Sequence, residues 1–79
     1  MKDQRILALL EEIMSDHGIP RNIRSTIEES VSVLNGHISP EEKIAHLISL
    51  LDEASSNPNL AFHTRTHIWN ILTNLESIK

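Results

Sequence analysis

Apolar residues recur at three- and four-residue spacings along nearly the whole chain, a pattern that predicts four amphipathic helices. Ile6, Leu7, Leu10, Ile13 and Met14 mark the first, from Asp3 to about Ser15. It should stop near Asp16-His17-Gly18, because Gly18 can take a left-handed cap and Pro20 follows two residues later. Pro20 also suits the first turn of a second helix, whose narrow stripe of Ile23, Ile27, Val31 and Leu34 runs to about Leu34. Asn35-Gly36 reads as a turn. Ser39-Pro40-Glu41-Glu42 then reads as an N-cap serine, a proline at the first helical position and a glutamate three residues on, which is a capping box. The third helix carries Ile44, Leu47, Ile48, Leu51 and Ala54, widened by Ala45 and Leu50, until Ser55-Ser56-Asn57-Pro58-Asn59 ends it. The fourth runs from about Ala61 to Ser77 with Ile68, Trp69, Ile71, Leu72, Leu75 and Ile78 on its apolar side. No segment reads as a strand.

The pattern occurs twice. At a fixed offset of 41, without a gap, Leu9 and Leu50, Leu10 and Leu51, Glu12 and Glu53, Arg24 and Arg65, Ile27 and Ile68, and Leu34 and Leu75 are identical pairs. Ile6 with Leu47, Glu11 with Asp52, Asp16 with Asn57, Ile19 with Leu60 and Val31 with Leu72 are similar pairs. Each helix-turn-helix unit has an apolar face that the other can cover. The expected fold is therefore all-α: a four-helix bundle of two pseudo-two-fold hairpins, about 3–34 and 40–78, in one domain over residues 1–79. A period of 41 also falls in the HEAT range, and Asp16 followed by Ile23-Arg24 is a HEAT-like turn, so a pair of HEAT-like repeats is the alternative. Two repeats are too few for a solenoid, which favours the closed bundle.

The strings Leu9-Leu10-Glu11-Glu12-Ile13, Ile19-Pro20-Arg21-Asn22-Ile23-Arg24, Leu51-Asp52-Glu53 and His63-Thr64-Arg65-Thr66-His67-Ile68-Trp69-Asn70-Ile71 together resemble the small archaeal proteins of the uncharacterised family UPF0147. The resemblance covers nearly the whole chain, with His67 standing where an aliphatic residue is expected and Ala45-His46-Leu47-Ile48-Ser49 diverging. It implies a bromodomain-like four-helix bundle in an archaeal cytoplasm, and it brings no catalytic residues with it.

Composition narrows the chemistry. Seventy-nine residues sit at the size where a single core is only just sufficient. The absence of cysteine removes disulfides, thiol nucleophiles and cysteine-based zinc sites. No signal core and no apolar run long enough for a bilayer is visible, so the expectation is a cytoplasmic protein without a membrane partner. A net charge of -4 gives nucleic acid no long-range attraction.

Few side chains are candidates for a site. His63 and His67 are four apart on one helix, a spacing that lets two imidazoles face one metal, but the glutamate of a zincin motif is missing. They fall about 220° and 260° from Ile68 on the wheel, the polar side. The favoured reading is two solvated histidines and no metal or other cofactor, since a third ligand would have to come from another helix, such as His37 or His46. Glu11, Glu12, Asp52 and Glu53 read as surface acids, and no case for an enzyme emerges. Arg24 and Arg65 lie about 60° from Ile27 and Ile68, inside the apolar arc, so each is expected to be partly buried and paired, Arg24 with Glu11 and Arg65 with Asp52. The leading function is a protein-interaction or structural module. The alternative is a nucleic-acid accessory protein using Arg5, Arg21, Arg24 and Arg65. The third helix is apolar over about 220° and the fourth over about 180°, against about 100° for a helix facing one core. Part of that surplus, including Trp69, Phe62 and Leu50, is expected to lie exposed and to favour a homodimer. The competing expectation is that the fourth helix fills the bundle centre.

Overall fold

The computed structural model describes residues 3–78, and the side chains of 4–77. Four helices make up the fold: α1 Asp3–Met14, α2 Arg21–Leu34, α3 Pro40–Ser55 and α4 Phe62–Ile78. Each helix lies beside the next in sequence, and α4 returns to lie beside α1. The ring is thus closed, a four-helix bundle rather than an open stack of repeats. No strand occurs among the described residues. The side chain of Ile78, expected on the fourth apolar stripe, lies outside those described.

One core runs through all four helices. Ile6 and Leu10 of α1, Ile27 of α2, Leu47 and Leu51 of α3, and Ile68, Ile71 and Leu75 of α4 have no exposed surface. Residues 41 apart share the same degree of burial at nearly every position from 4 to 36, half-buried Arg24 and Arg65 among them. Two core positions break the chemical match. Ser30 is buried where the second hairpin has Ile71, and Thr64 is buried where the first has Ile23. The Ser30 hydroxyl donates to the carbonyl of Thr26 at 2.9 Å, so its burial leaves no polar group stranded.

The helix ends follow from local hydrogen bonds. At the start of α3 the Glu42 N–H donates to Ser39 Oγ at 3.2 Å, with Pro40 in the first turn, as the capping box requires. After α1, the Gly18 N–H donates to Asp16 Oδ1 at 2.8 Å, and after α3 the Asn59 N–H donates to Asn57 Oδ1 at 2.8 Å. Ser15 and Ser56, again 41 apart, donate to the carbonyls of Glu12 at 2.7 Å and Glu53 at 2.8 Å. Neither glycine has a positive φ, so the left-handed cap expected at Gly18 is not what ends α1. The Asp16 side chain closes that turn instead.

Candidate functional site

Polar side chains meet along the seam between α1 and α4, which run antiparallel so that the numbers of paired residues sum to 79. Asp16 Oδ2 meets His63 Nε2 at 2.8 Å, Glu12 Oε1 lies 3.8 Å from His67 Nδ1, and Arg5 Nε donates to Asn74 Oδ1 at 3.4 Å. Leu9 and Asn70 fall in the same register, and with Glu12, Thr66 and His67 they line a shallow groove of about 410 Å³. A smaller groove of about 340 Å³ occupies the corresponding junction of α3 and α2, between Glu53, Ser56 and Asn57 on one side and Asn22 and Thr26 on the other. Position for position, the second junction has Asn22 and Thr26 where the first has His63 and His67.

Asp16 is the electrostatic centre of the seam. It belongs to the loop after α1, yet it reaches the first turn of α4, where its carboxylate takes the His63 imidazole. A negative charge there also complements the exposed N–H groups of a helix start. The hydrogen bond from His63 and then that from the Gly18 N–H hold its carboxyl below the usual carboxylate range. His63 is well exposed, with 68% of its side chain in solvent, so the pair is screened by water. Among the described residues, no group of three His, Asp or Glu side chains is placed to hold one metal ion. The partners of His63 and His67 are Asp16 of the loop after α1 and Glu12 of α1, not His37 or His46.

Both arginines are half-buried, as their wheel positions required, but their partners differ from the expected acids. Arg65 Nε donates to the carbonyl of Ser55 at 3.1 Å and its Nη2 to the carbonyl of Asn57 at 2.9 Å. Arg24 Nη2 donates to the carbonyl of Asp16 at 3.3 Å. Among the described residues, neither Glu11 nor Asp52 forms an ion pair with them. The reason is geometric: an arginine one turn into the second helix of a hairpin faces the end of the first, where carbonyls have no helical N–H partner. The acids lie further back and point to solvent, and both are exposed. What sequence reasoning missed is Asp16, whose cross-bundle contact with His63 spans 47 residues. The Asp-to-Asn difference at 16 and 57 was the available signal, since only the loop carrying the charge faces histidine.

A second surface stands out on α4. Phe62 is 75% exposed and Trp69 49% exposed, whereas the corresponding positions of α2 hold Arg21 and Glu28. Leu50, expected beside them, is half-buried. Ile68, Ile71 and Leu75 do fill the bundle centre, so the wide apolar arc of α4 is divided between the core and this outer face.

Fold and surface define a small all-α protein with two similar hairpins and a single core. No helix among the described residues is long and apolar enough to cross a membrane. The family model of an uncharacterised protein family, UPF0147, matches residues 2–78, and the chain belongs to that family. A relative from Methanothermobacter thermautotrophicus is 44% identical over 95% of this chain and 74% of its own. One from Pyrococcus horikoshii is 41% identical over 98% of this chain and 84% of its own. The crystal structure of a family protein from Thermoplasma acidophilum superposes with a TM-score of 0.90 at 30% identity, covering 96% of this chain and 91% of that one. The crystal structure of MMP1188, a protein of unknown function, gives 0.91 at 40% identity over 99% and 90%.

Proposed function

We propose that this chain is a non-catalytic protein-interaction module, built from a duplicated hairpin, that works in the cytoplasm through the outward face of α4. The observation that carries the reading is the exposure of Phe62 and Trp69 at positions where α2 carries Arg21 and Glu28. The shared burial pattern means the fold needs no aromatic residue there. Large exposed aromatics on one helix face are the residue type that anchors protein interfaces. The nucleic-acid alternative loses most of its donors, because Arg24 and Arg65 are engaged with main-chain carbonyls and Arg5 with Asn74.

The test uses the immobilised wild-type protein beside an F62E/W69E variant, each exposed to a soluble extract of the source cells. Both positions are surface positions, and circular dichroism verifies that the variant keeps its helices. A partner retained by the wild type and depleted at least about tenfold on the variant is the expected result, given the usual weight of aromatic anchors. Identical retention profiles would sink the proposal.

A further inference from the structure

The outer stripe of α4 is Phe62, Thr66, Trp69 and Thr73, at spacings of four, three and four residues. These four lie within about 60° of one another on the helical wheel, on the side away from Ile71 and Leu75 in the core. None is charged, and all four are exposed. The stripe alternates large and small. Read in reverse it alternates small and large, so it is its own complement: antiparallel pairing sets Phe62 opposite Thr73 and Trp69 opposite Thr66, on both sides at once. The matching stripe of α2, Arg21, Ser25, Glu28 and Ser32, has neither the bulk nor the neutrality for this.

The threonines are already prepared for a dry contact. Thr66 Oγ1 donates to the carbonyl of Phe62 at 3.1 Å and Thr73 Oγ1 to the carbonyl of Trp69 at 2.9 Å. With each hydroxyl turned back on its own helix, covering the stripe strands neither threonine donor, and the Trp69 indole N–H keeps its place at the wet rim.

From this geometry we infer that the occupant of the α4 face is a second copy of the chain, joined about a two-fold axis with the two α4 helices antiparallel. The inference rests on the interaction-module reading and names its partner. An exposed-side pairing of this kind is isologous, the commonest way for a protein to dimerise. Phe62 and Trp69 together leave about 250 Å² of aromatic surface in water per copy. Two copies therefore bury about 500 Å² from the aromatics alone, and about 1,000 Å² once the threonines and the flanking residues are added, the lower limit for a specific interface. That area belongs to a reversible dimer with a dissociation constant on the order of 10–100 µM rather than to an obligate one.

Sedimentation equilibrium of the purified chain from about 1 to about 500 µM, a range bracketing that constant, should show a mass rising from 9.0 kDa towards twice that value. F62T replaces a large–small pair with two small residues, and T73F replaces it with two large ones. Each single variant should weaken dimerisation at least about tenfold, and the F62T/T73F double variant, which exchanges bulk for space across the axis, should recover to within about threefold of wild type. A 9.0 kDa species at every concentration, or a double variant no tighter than the singles, overturns the antiparallel self-pairing. A monomer result does not decide the broader reading, because the extract experiment measures other partners of the same face.

Discussion

Replacing Arg65 by methionine isolates the hairpin-closing role of the guanidinium, since methionine keeps an apolar stem of similar length and removes only the charged head. Two hydrogen bonds are lost, at 3.1 Å to Ser55, the last residue of α3, and at 2.9 Å to Asn57 in the loop just beyond it. A bond from a charged donor is worth about 1.5–3 kcal/mol when fully buried. Arg65 is only half-buried, so water takes over part of what is removed, and a loss of about 1–2 kcal/mol for the pair is expected, including a few tenths from the helix terminus. For a chain of this size that lowers Tm by about 5–15 °C. The companion variant R24M removes a single bond of 3.3 Å, so it should cost about 0.5 kcal/mol and about 2–4 °C. Thermal and urea unfolding followed by circular dichroism at 222 nm measure both. The ordering is the sharp part: an R65M variant as stable as R24M, or one within experimental error of wild type, would refute the idea that these arginines close the hairpins through carbonyls.

Three further outcomes follow from the geometry. Asp16 has a folded-state pKa below its ordinary value near 3.8, so the folded state binds fewer protons than the unfolded chain in acid; its contribution is full above that value and is lost as pH falls through the folded pKa. Urea titrations between about pH 2 and pH 6 should therefore show a shallower acid limb for H63Q than for wild type, and parallel limbs would remove His63 as the main cause. Gly18→Asn should be neutral or stabilising by up to about 1 kcal/mol, because Asn59 makes the same turn bond with a side chain in place and Gly18 has no positive φ; a clear loss in the same unfolding assay would show that the Cβ contact with Asp16 Oδ1 at 3.2 Å is not relieved. Leu51→Ala, at a fully buried position, should cost about 2–5 kcal/mol, and a smaller loss in the denaturant midpoint would mean that the core collapses around the gap.

The helices and core were legible in the sequence because both are set by spacing. Leu10, Ile27, Leu51 and Ile68 are buried where their periodicity put them, and Ser39 caps α3 as its neighbours required. The half-burial of Arg24 and Arg65 was legible for the same reason. Their partners were not, since a sequence displays side chains and conceals the carbonyls at a helix end, so the nearest acids, Glu11 and Asp52, were the visible choice. The Asp16–His63 contact depends on which loop meets which helix start across the bundle, information that lies in the ring order of the helices. The outward aromatics were readable as surplus hydrophobic arc, but the division of that arc between core and surface needed the burial of Ile71 and Leu75 beside the exposure of Phe62 and Trp69.

Because the two hairpins present nearly the same apolar face, only a few buried positions tell one hairpin to choose the other over its own kind in a second molecule. Ile13 against Ala54, Ile23 against Thr64 and Ser30 against Ile71 supply that choice. A bundle made from two first hairpins would hold Ile13 and Ile23 twice, overfilling two places, and Ser30 twice, leaving a third short of volume. One made from two second hairpins would have the reverse mismatch, with Ile71 doubled and with gaps beside Ala54 and Thr64, and it would lack the Asp16 that meets His63. These unequal pairs thus act as labels that make mixed pairing the well-filled one, which guards a nascent chain against exchanging halves with its neighbours.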